Sequence, residues 1–138
     1  MTRCTSVTRG LCLSLLLPAL GCGQQGPVRF DVSGKVTFAG KPIPDGWVCF
    51  TPDTTKGNSG PQGVARIQAG TFNTAGKDGK GITGGPMVVR IEGFDGSTEV
   101  RHLFAPYETN IDLPHAATTR DFDVPASWAD QPIPVATP

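Results

Sequence analysis

The sequence predicts an all-β domain: a single β-sandwich of about seven short antiparallel strands. Three observations predict it. Glycine (18) and proline (13) are abundant among 138 residues, while charged residues make up only 17%, a composition suited to short strands and many turns. Apolar side chains recur at every second position in several segments, which is the period of a half-buried strand. Turn signals separate those segments at intervals of about 8 to 12 residues. No amphipathic helical stripe is visible beyond the N-terminal segment, and no internal repeat.

Phe30 to Phe38 is the first strand, with Phe30, Val32, Val36 and Phe38 on one face and Gly34 between them. Gly34 has no side chain to pack, so it marks a bulge or a close approach of another strand. Ala39-Gly40-Lys41 is a tight turn, and Pro44-Asp45-Gly46 reads as a second, with proline presetting φ and glycine tolerating positive φ. Trp47 to Thr51 follows as a strand with Val48 and Phe50 inward, Trp47 and Cys49 on the other side. Pro52 to Pro61 is a flexible polar loop. Val64 to Gln68 and Thr71 to Asn73 flank a turn at Ala69-Gly70. The glycine-dense stretch Thr74 to Pro86 is expected as a surface loop. Met87 to Phe94 is the strongest strand pattern, and Asp95-Gly96 turns after it. Glu99 to Phe104 is a short strand or an irregular crossing. Tyr107 to Leu113 alternates again, and Thr119 to Val124 is the last strand. From Trp128 the Pro-rich tail is expected to fray.

The N-terminal segment has a different character. Arg3 and Arg9 form a positive region, and Leu11 to Leu20 is apolar. As a helix that run spans about 15 Å, half the roughly 30 Å hydrocarbon core of a bilayer. Residues 1–21 therefore read as a signal peptide. Of the four cysteines, Cys4 and Cys12 lie in that segment, Cys22 follows Gly21, and Cys49 lies in the body of the chain. A disulfide framework would need Cys22 to pair with Cys49. The economical reading keeps Cys49 as a small buried hydrophobe in its strand.

Leu17-Pro18-Ala19-Leu20-Gly21-Cys22 resembles the lipobox of bacterial lipoproteins, with Ala19 where leucine is commoner. The resemblance implies diacylglycerol on Cys22, cleavage before it, and a membrane-anchored lipoprotein of the cell envelope. Position 23 is Gly rather than Asp, so the expected destination is the outer membrane. An ordinary secretory signal cut after Gly21 is the alternative. Residues 22–27 then serve as lipid attachment and tether, because Gly23 to Pro27 has too little apolar surface to pack.

A second resemblance spans residues 28–126. Val32-Ser33-Gly34-Lys35-Val36-Thr37-Phe38, then Gly40-Lys41-Pro42-Ile43-Pro44, then Val48-Cys49-Phe50-Thr51-Pro52, is similar to the opening of carboxypeptidase-regulatory-like, or transthyretin-like, domains. Val88-Val89-Arg90-Ile91 resembles a later strand of that family, although Gly85-Pro86-Met87 lacks the usual tyrosine. The resemblance implies an immunoglobulin-like (transthyretin/prealbumin-like) sandwich and a structural or accessory module without catalysis of its own. Residues 127–138 remain a flexible Pro-rich tail.

Catalysis needs convergent ionisable groups, and the sequence offers few candidates. The histidines, His102 and His115, are far apart in sequence and lack the spacing of a metal pair. Gly57-Asn58-Ser59-Gly60 does not match a nucleophile elbow. Gly76-Lys77-Asp78 lacks the hydroxyl residue of a phosphate loop. Asp78 and Asp95 precede glycine, as turn residues do, and open no calcium loop. The transthyretin-like fold includes 5-hydroxyisourate hydrolases, but the chain ends Pro134-Val135-Ala136-Thr137-Pro138 instead of that family's Tyr-Arg-Gly-Ser ending. The sequence thus predicts no catalytic, cofactor or metal site, and a single modified residue, Cys22. Formal net charge is zero, so no basic patch marks a nucleic-acid partner. The expected partners are the membrane, through lipid on Cys22, and an envelope protein or polysaccharide held by an aromatic patch or a sheet edge. Trp47 lies opposite Val48 and Phe50 in parity; the expected arrangement packs it on a loop or on the tail near Trp128, and exposure would instead favour stacking on a ligand.

Overall fold

The computed structural model describes residues 25–133. Residues 1–21, expected as a signal peptide, Cys22 and the last five residues lie outside the described region. The described residues are mostly antiparallel β with almost no helix. Its strands are β1 (Val32–Phe38), β2 (Lys41–Pro42), β3 (Asp45–Pro52), β4 (Gly63–Gln68), β5 (Thr71–Asn73), β6 (Gly85–Phe94), β7 (Tyr107–Leu113), β8 (Thr118–Thr119) and β9 (Phe122–Val124). They join one curled sheet in the order β2-β1-β5-β4-β3-β6-β7, with β8 and β9 added to β1. The pairings of β8 and β9 on β1 are parallel; all the others are antiparallel.

Alternation sets the inner face, as the sequence predicts. Val32 and Val36 of β1, Val48 and Phe50 of β3, Ala65 and Ile67 of β4, and Met87, Val89 and Ile91 of β6 are all buried. Curling brings distant strands together around three rings. Phe50, Phe72 and Phe122 have centroids 5.9 to 6.3 Å apart, within the range where aromatic pairs add about 0.5–1.5 kcal/mol beyond area burial.

The turns expected at Ala39-Gly40 and Ala69-Gly70 are two-residue hairpin loops. Ala39 (φ 50°) and Gly40 (φ 75°) join β1 to β2, and Ala69 (φ 48°) and Gly70 (φ 77°) join β4 to β5. Positive φ at both central residues matches the right-handed strand twist. The alanines carry the strain of the left-handed region.

Several elements depart from the sequence expectation. Asp45 and Gly46 do not turn: they open β3, paired with Gln68 and Ile67 on one side and with Phe94 and Gly93 on the other. Glycine is needed there because a Cβ would lie 2.1 Å from the Glu92 carbonyl oxygen. The stretch Thr74 to Pro86 is not simply surface loop. Ile82 is fully buried, Thr74 is buried, and β6 already begins at Gly85. The polar loop after β3 is an ordered 3-10 turn, Thr54–Lys56, capped by Asp53. The expected last strand is two short pieces, β8 and β9, interrupted at Arg120 and Asp121. Glu99 to Phe104 is an irregular crossing whose Phe104 ring is buried over Gly93. Trp128 does not fray. It sits in a second 3-10 turn, Ala126–Asp130, its ring 5.2 Å from Tyr107 edge-on and its Nε1 donating to the Ala105 carbonyl at 2.8 Å.

Gly34 is the close approach that its missing side chain suggests. A Cβ there would lie 2.0 Å from the Arg120 carbonyl oxygen, in the bend between β8 and β9. We expect Gly34→Ala to destabilise the domain by about 1–3 kcal/mol, the usual cost of forcing volume into a packed site, measured by urea unfolding. Ala69→Asn relaxes the turn strain instead and is expected to raise stability by about 0.5–1 kcal/mol in the same measurement.

Candidate functional site

The outward residues of β1, β5 and β4 form the floor of an open groove of about 700 Å³. One wall is the turn 76–79; the other is Thr119 and Asp121 beside β1. Alternation forces polar side chains onto this floor, since their neighbours in each strand point inward. Lys35, Gln68, Thr71 and Asn73 are exposed there. The wall is held by the backbone. Thr74 exchanges bonds with Val32 (Thr74 N to Val32 O 2.9 Å; Val32 N to Thr74 Oγ1 2.8 Å), and Gly79 N donates to Gly76 O at 2.9 Å. On the opposite wall Asp121 Oδ1 accepts the Lys35 backbone N–H at 2.8 Å.

Charge is unevenly satisfied in this groove. Arg66 is clamped by Asp45 through two bonds of 3.0 and 3.3 Å. That hydrogen bond, with the Asp45 charge and more weakly Asp78, holds the guanidinium still more firmly protonated than usual. Lys35, Lys77 and Asp78 have no ion-pair partner among the described residues. The groove thus presents two ammonium groups and two carboxylates (Asp78 and Asp121) without ion-pair partners among the described residues, together with two amides and hydroxyls. It can hydrogen-bond a polar ligand or a polar protein segment. The sequence reading treats Lys77 and Asp78 as part of a failed phosphate loop, and Asp78 also as a turn residue that opens no calcium loop; it misses the groove. The available signal was a glycine-dense turn directly after a short strand of exposed polar residues.

The other candidates fall elsewhere. His102 lies edge-on to Phe94, centroids 4.8 Å apart, and His115 lies near Phe30 at 6.2 Å and against Gly84. They sit at opposite ends of the ten-residue β6, roughly 30 Å apart at strand rise, so they cannot act on one atom. No group of three or more potential metal-ligating side chains occurs among the described residues. Asn58 ties its loop to β6 by donating to Gly84 O (3.0 Å) and Pro86 O (2.7 Å). Asp95 is a turn residue, accepting from Ser97 N and Oγ, and those bonds hold its carboxyl below the usual range.

Two expectations need correction. Cys49 is not in the interior. It is half-buried on the outer face, opposite Arg90 and Val64, where burial and then Glu92 push its thiol pKa up. Trp47 is half-buried on that same outer face, set in register between Arg66 and Glu92. It does not meet Trp128, which packs with Tyr107 against the inner side of the sheet. Trp47 therefore borders the groove at Arg66 without lining it. Cys22 lies outside the described residues. No helix among them is long and apolar enough to cross a membrane.

Asp53 holds the floor's neighbouring strands in place. Its carboxylate accepts from Thr55 Oγ1 and from Thr55 N (3.0 Å), and its own N–H donates to Pro86 O at 2.9 Å, joining the end of β3 to the start of β6. The Thr55 hydroxyl, with the Thr55 N–H and Lys56, keeps its pKa below the ordinary value. A lowered folded pKa stabilises above the unfolded value near 3.9 and is lost as pH falls through the folded one. Asp53→Asn is therefore expected to flatten the fall in urea midpoint between neutral and about pH 3, while lowering the midpoint at neutral pH.

No protein-family model, curated protein or solved structure matches the chain.

Proposed function

We propose that this protein is an exported lipoprotein, anchored in the cell envelope through lipid on Cys22, whose β domain is a non-catalytic interaction module. The observation that carries the interaction role is the groove: Lys35, Lys77 and Asp78 stand without ionic partners on a frame pinned by backbone hydrogen bonds. A module that binds without reacting needs preorganised polar groups, and ordering them beforehand lowers the entropy lost on binding. The histidines, separated by the length of β6, supply no acid–base pair to that groove.

The anchor fits the way the chain enters the domain. Residues 25–29 are exposed and have no regular structure; the Arg29 side chain donates to Gly81 O at 2.7 Å, and the backbone pairs first at Phe30, which exchanges bonds with Ile82 (2.7 and 2.9 Å). Seven residues lie between Cys22 and Phe30, eight residue steps that span up to about 28 Å when extended. That length lets the domain stand clear of the headgroups. Two or three acyl chains at about 0.8 kcal/mol per buried CH₂ would hold it there. The transthyretin-like resemblance of residues 28–126 supports an accessory role, and an immunoglobulin-like sandwich is the finer arrangement we propose for the curled sheet. A polysaccharide is the preferred ligand class for the groove, favoured by the amides of Gln68 and Asn73 beside hydroxyls, with Trp47 at the border.

Intact mass of the mature protein from membranes tests the anchor: we expect a chain beginning at Cys22 and carrying diacylglycerol. Cys22→Ser should shift the protein to the soluble fraction; an unmodified native product would remove the anchor. The groove is tested by amide-shift titration with N-acetylglucosamine oligomers. Shifts should concentrate at Gln68, Asn73 and Lys77 and weaken in Lys35→Glu and Lys77→Glu. Shifts confined to other surfaces would refute the groove assignment.

A further inference from the structure

The sheet curls but does not close. β7 is hydrogen-bonded on one side only, to β6, and no pairing joins it to β9. The two strands face each other across an opening of about 140 Å³ bordered by Thr109, Asn110, Ile111, Asp121, Phe122 and Asp123. Tracing directions from β1 through β5, β4, β3 and β6, β7 runs antiparallel to β9 across this seam.

The free side of β7 can be assigned residue by residue. Pro86 O accepts from Asp53 N at the end of β3, and Gly93 O accepts from Leu103 N on the opposite side of β6. In β6, therefore, even-numbered residues turn their backbone groups to β3 and odd-numbered ones to β7. The register pairs Met87 with Ile111, Val89 with Thr109 and Ile91 with Tyr107, which consumes the backbone groups of those β7 residues. Glu108, Asn110 and Asp112 point theirs into the seam. Their side chains are exposed on the outer face, while Ile111 and Phe122 line its inner side.

An unpaired seven-residue edge is a template for another strand. A second copy fits it poorly: antiparallel pairing centred on Asn110 sets Glu108 directly against Asp112, and like charges opposite one another destabilise a ladder. The far bank adds Asp121 and Asp123, which border the seam although each also accepts a hydrogen bond from β1, from Lys35 N at 2.8 Å and Thr37 Oγ1 at 2.6 Å. Of the carboxylates around the seam, Glu108 meets Arg90 at 3.6 Å, while Asp112, Asp121 and Asp123 have no cationic partner among the described residues. Arg120 is the basic residue on this border.

We propose that the β7–β9 seam takes up an extended basic segment of a partner protein by strand addition. The inserted strand runs antiparallel to β7 and completes the curl towards β9. Its backbone bonds to Glu108, Asn110 and Asp112; its apolar alternate residues cover Ile111 and Phe122; its lysines or arginines face the carboxylates. Backbone pairing supplies affinity, and the alternating side chains supply selectivity. The proposal names a partner class for the interaction module proposed above and rests on that reading.

The test uses the full chain, isotope-labelled, with Val-Lys-Val-Lys-Val-Lys as probe and Val-Glu-Val-Glu-Val-Glu as control. The basic peptide should shift the amides of Glu108, Asn110 and Asp112 and protect them from solvent exchange; the acidic one should not. Glu108→Lys combined with Asp112→Lys should weaken binding about tenfold or more with an unchanged urea midpoint. Asn110→Pro removes the outward N–H from an edge position that tolerates proline and should weaken it as well. Binding that survives the double charge reversal, shifts at Lys35 and Lys77 in place of β7, or dimerisation through β7 would each overturn the seam assignment. The oligosaccharide titration reads the groove in the same spectra. Loss of the seam signal alone leaves the interaction role standing, whereas silence at both sites removes it.

Discussion

The fold depends on the contact of three phenylalanine rings across the curl of one sheet. Phe50, Phe72 and Phe122 come from β3, β5 and β9, and no hydrogen-bond ladder joins β9 to β3. What draws β9 over the sheet is burial of apolar surface, on the order of 1.5–3 kcal/mol for each large side chain. The parallel pairing of β9 with β1 then satisfies its backbone on one side. Gly34 makes that pairing possible, because the β8–β9 bend passes so close that any side chain would strike the Arg120 carbonyl.

The same curl decides what the outer surface offers. Residues excluded from the core by parity become a charged and amide-rich skin, much of it self-satisfied: Arg66 with Asp45, and Arg90 with Glu92 and Glu108. Exposed pairs of this kind contribute at most about 1 kcal/mol each, so their importance lies in leaving the unpaired groups conspicuous. Several of those groups stand at two places, the groove beside the turn 76–79 and the seam beside β7. The groove floor and β7 are regular strands whose inner faces are locked in the core, which is the arrangement binding needs when the ligand must not pay to order its site.

The open edge and its acids have one physical origin. A curled sheet that stops short of closure must expose two strand edges, and exposed edges invite pairing with copies of the same chain. Glu108 and Asp112 flank Asn110 symmetrically, which opposes antiparallel self-pairing while leaving the backbone groups available to a strand of opposite charge.

Local pattern by itself determined the strand faces and the tight turns. Val32, Val36, Val48, Phe50, Val89 and Ile91 point inward because period-two alternation leaves them no other choice once strands form. Ala39-Gly40 and Ala69-Gly70 turn where they were expected to. Proximity across the chain was not legible in the sequence. Gly46 looked like a turn residue, but a close approach of the Glu92 carbonyl makes it a strand glycine. Trp128 looked like a fraying tail, yet Ala105 and Tyr107 supply a hydrogen bond and a ring. Cys49 and Trp47 share a face whose half-burial depends on their cross-strand neighbours. The groove and the seam arise where segments distant in sequence come face to face, because hydrophobic closure brings strands together irrespective of their separation along the chain.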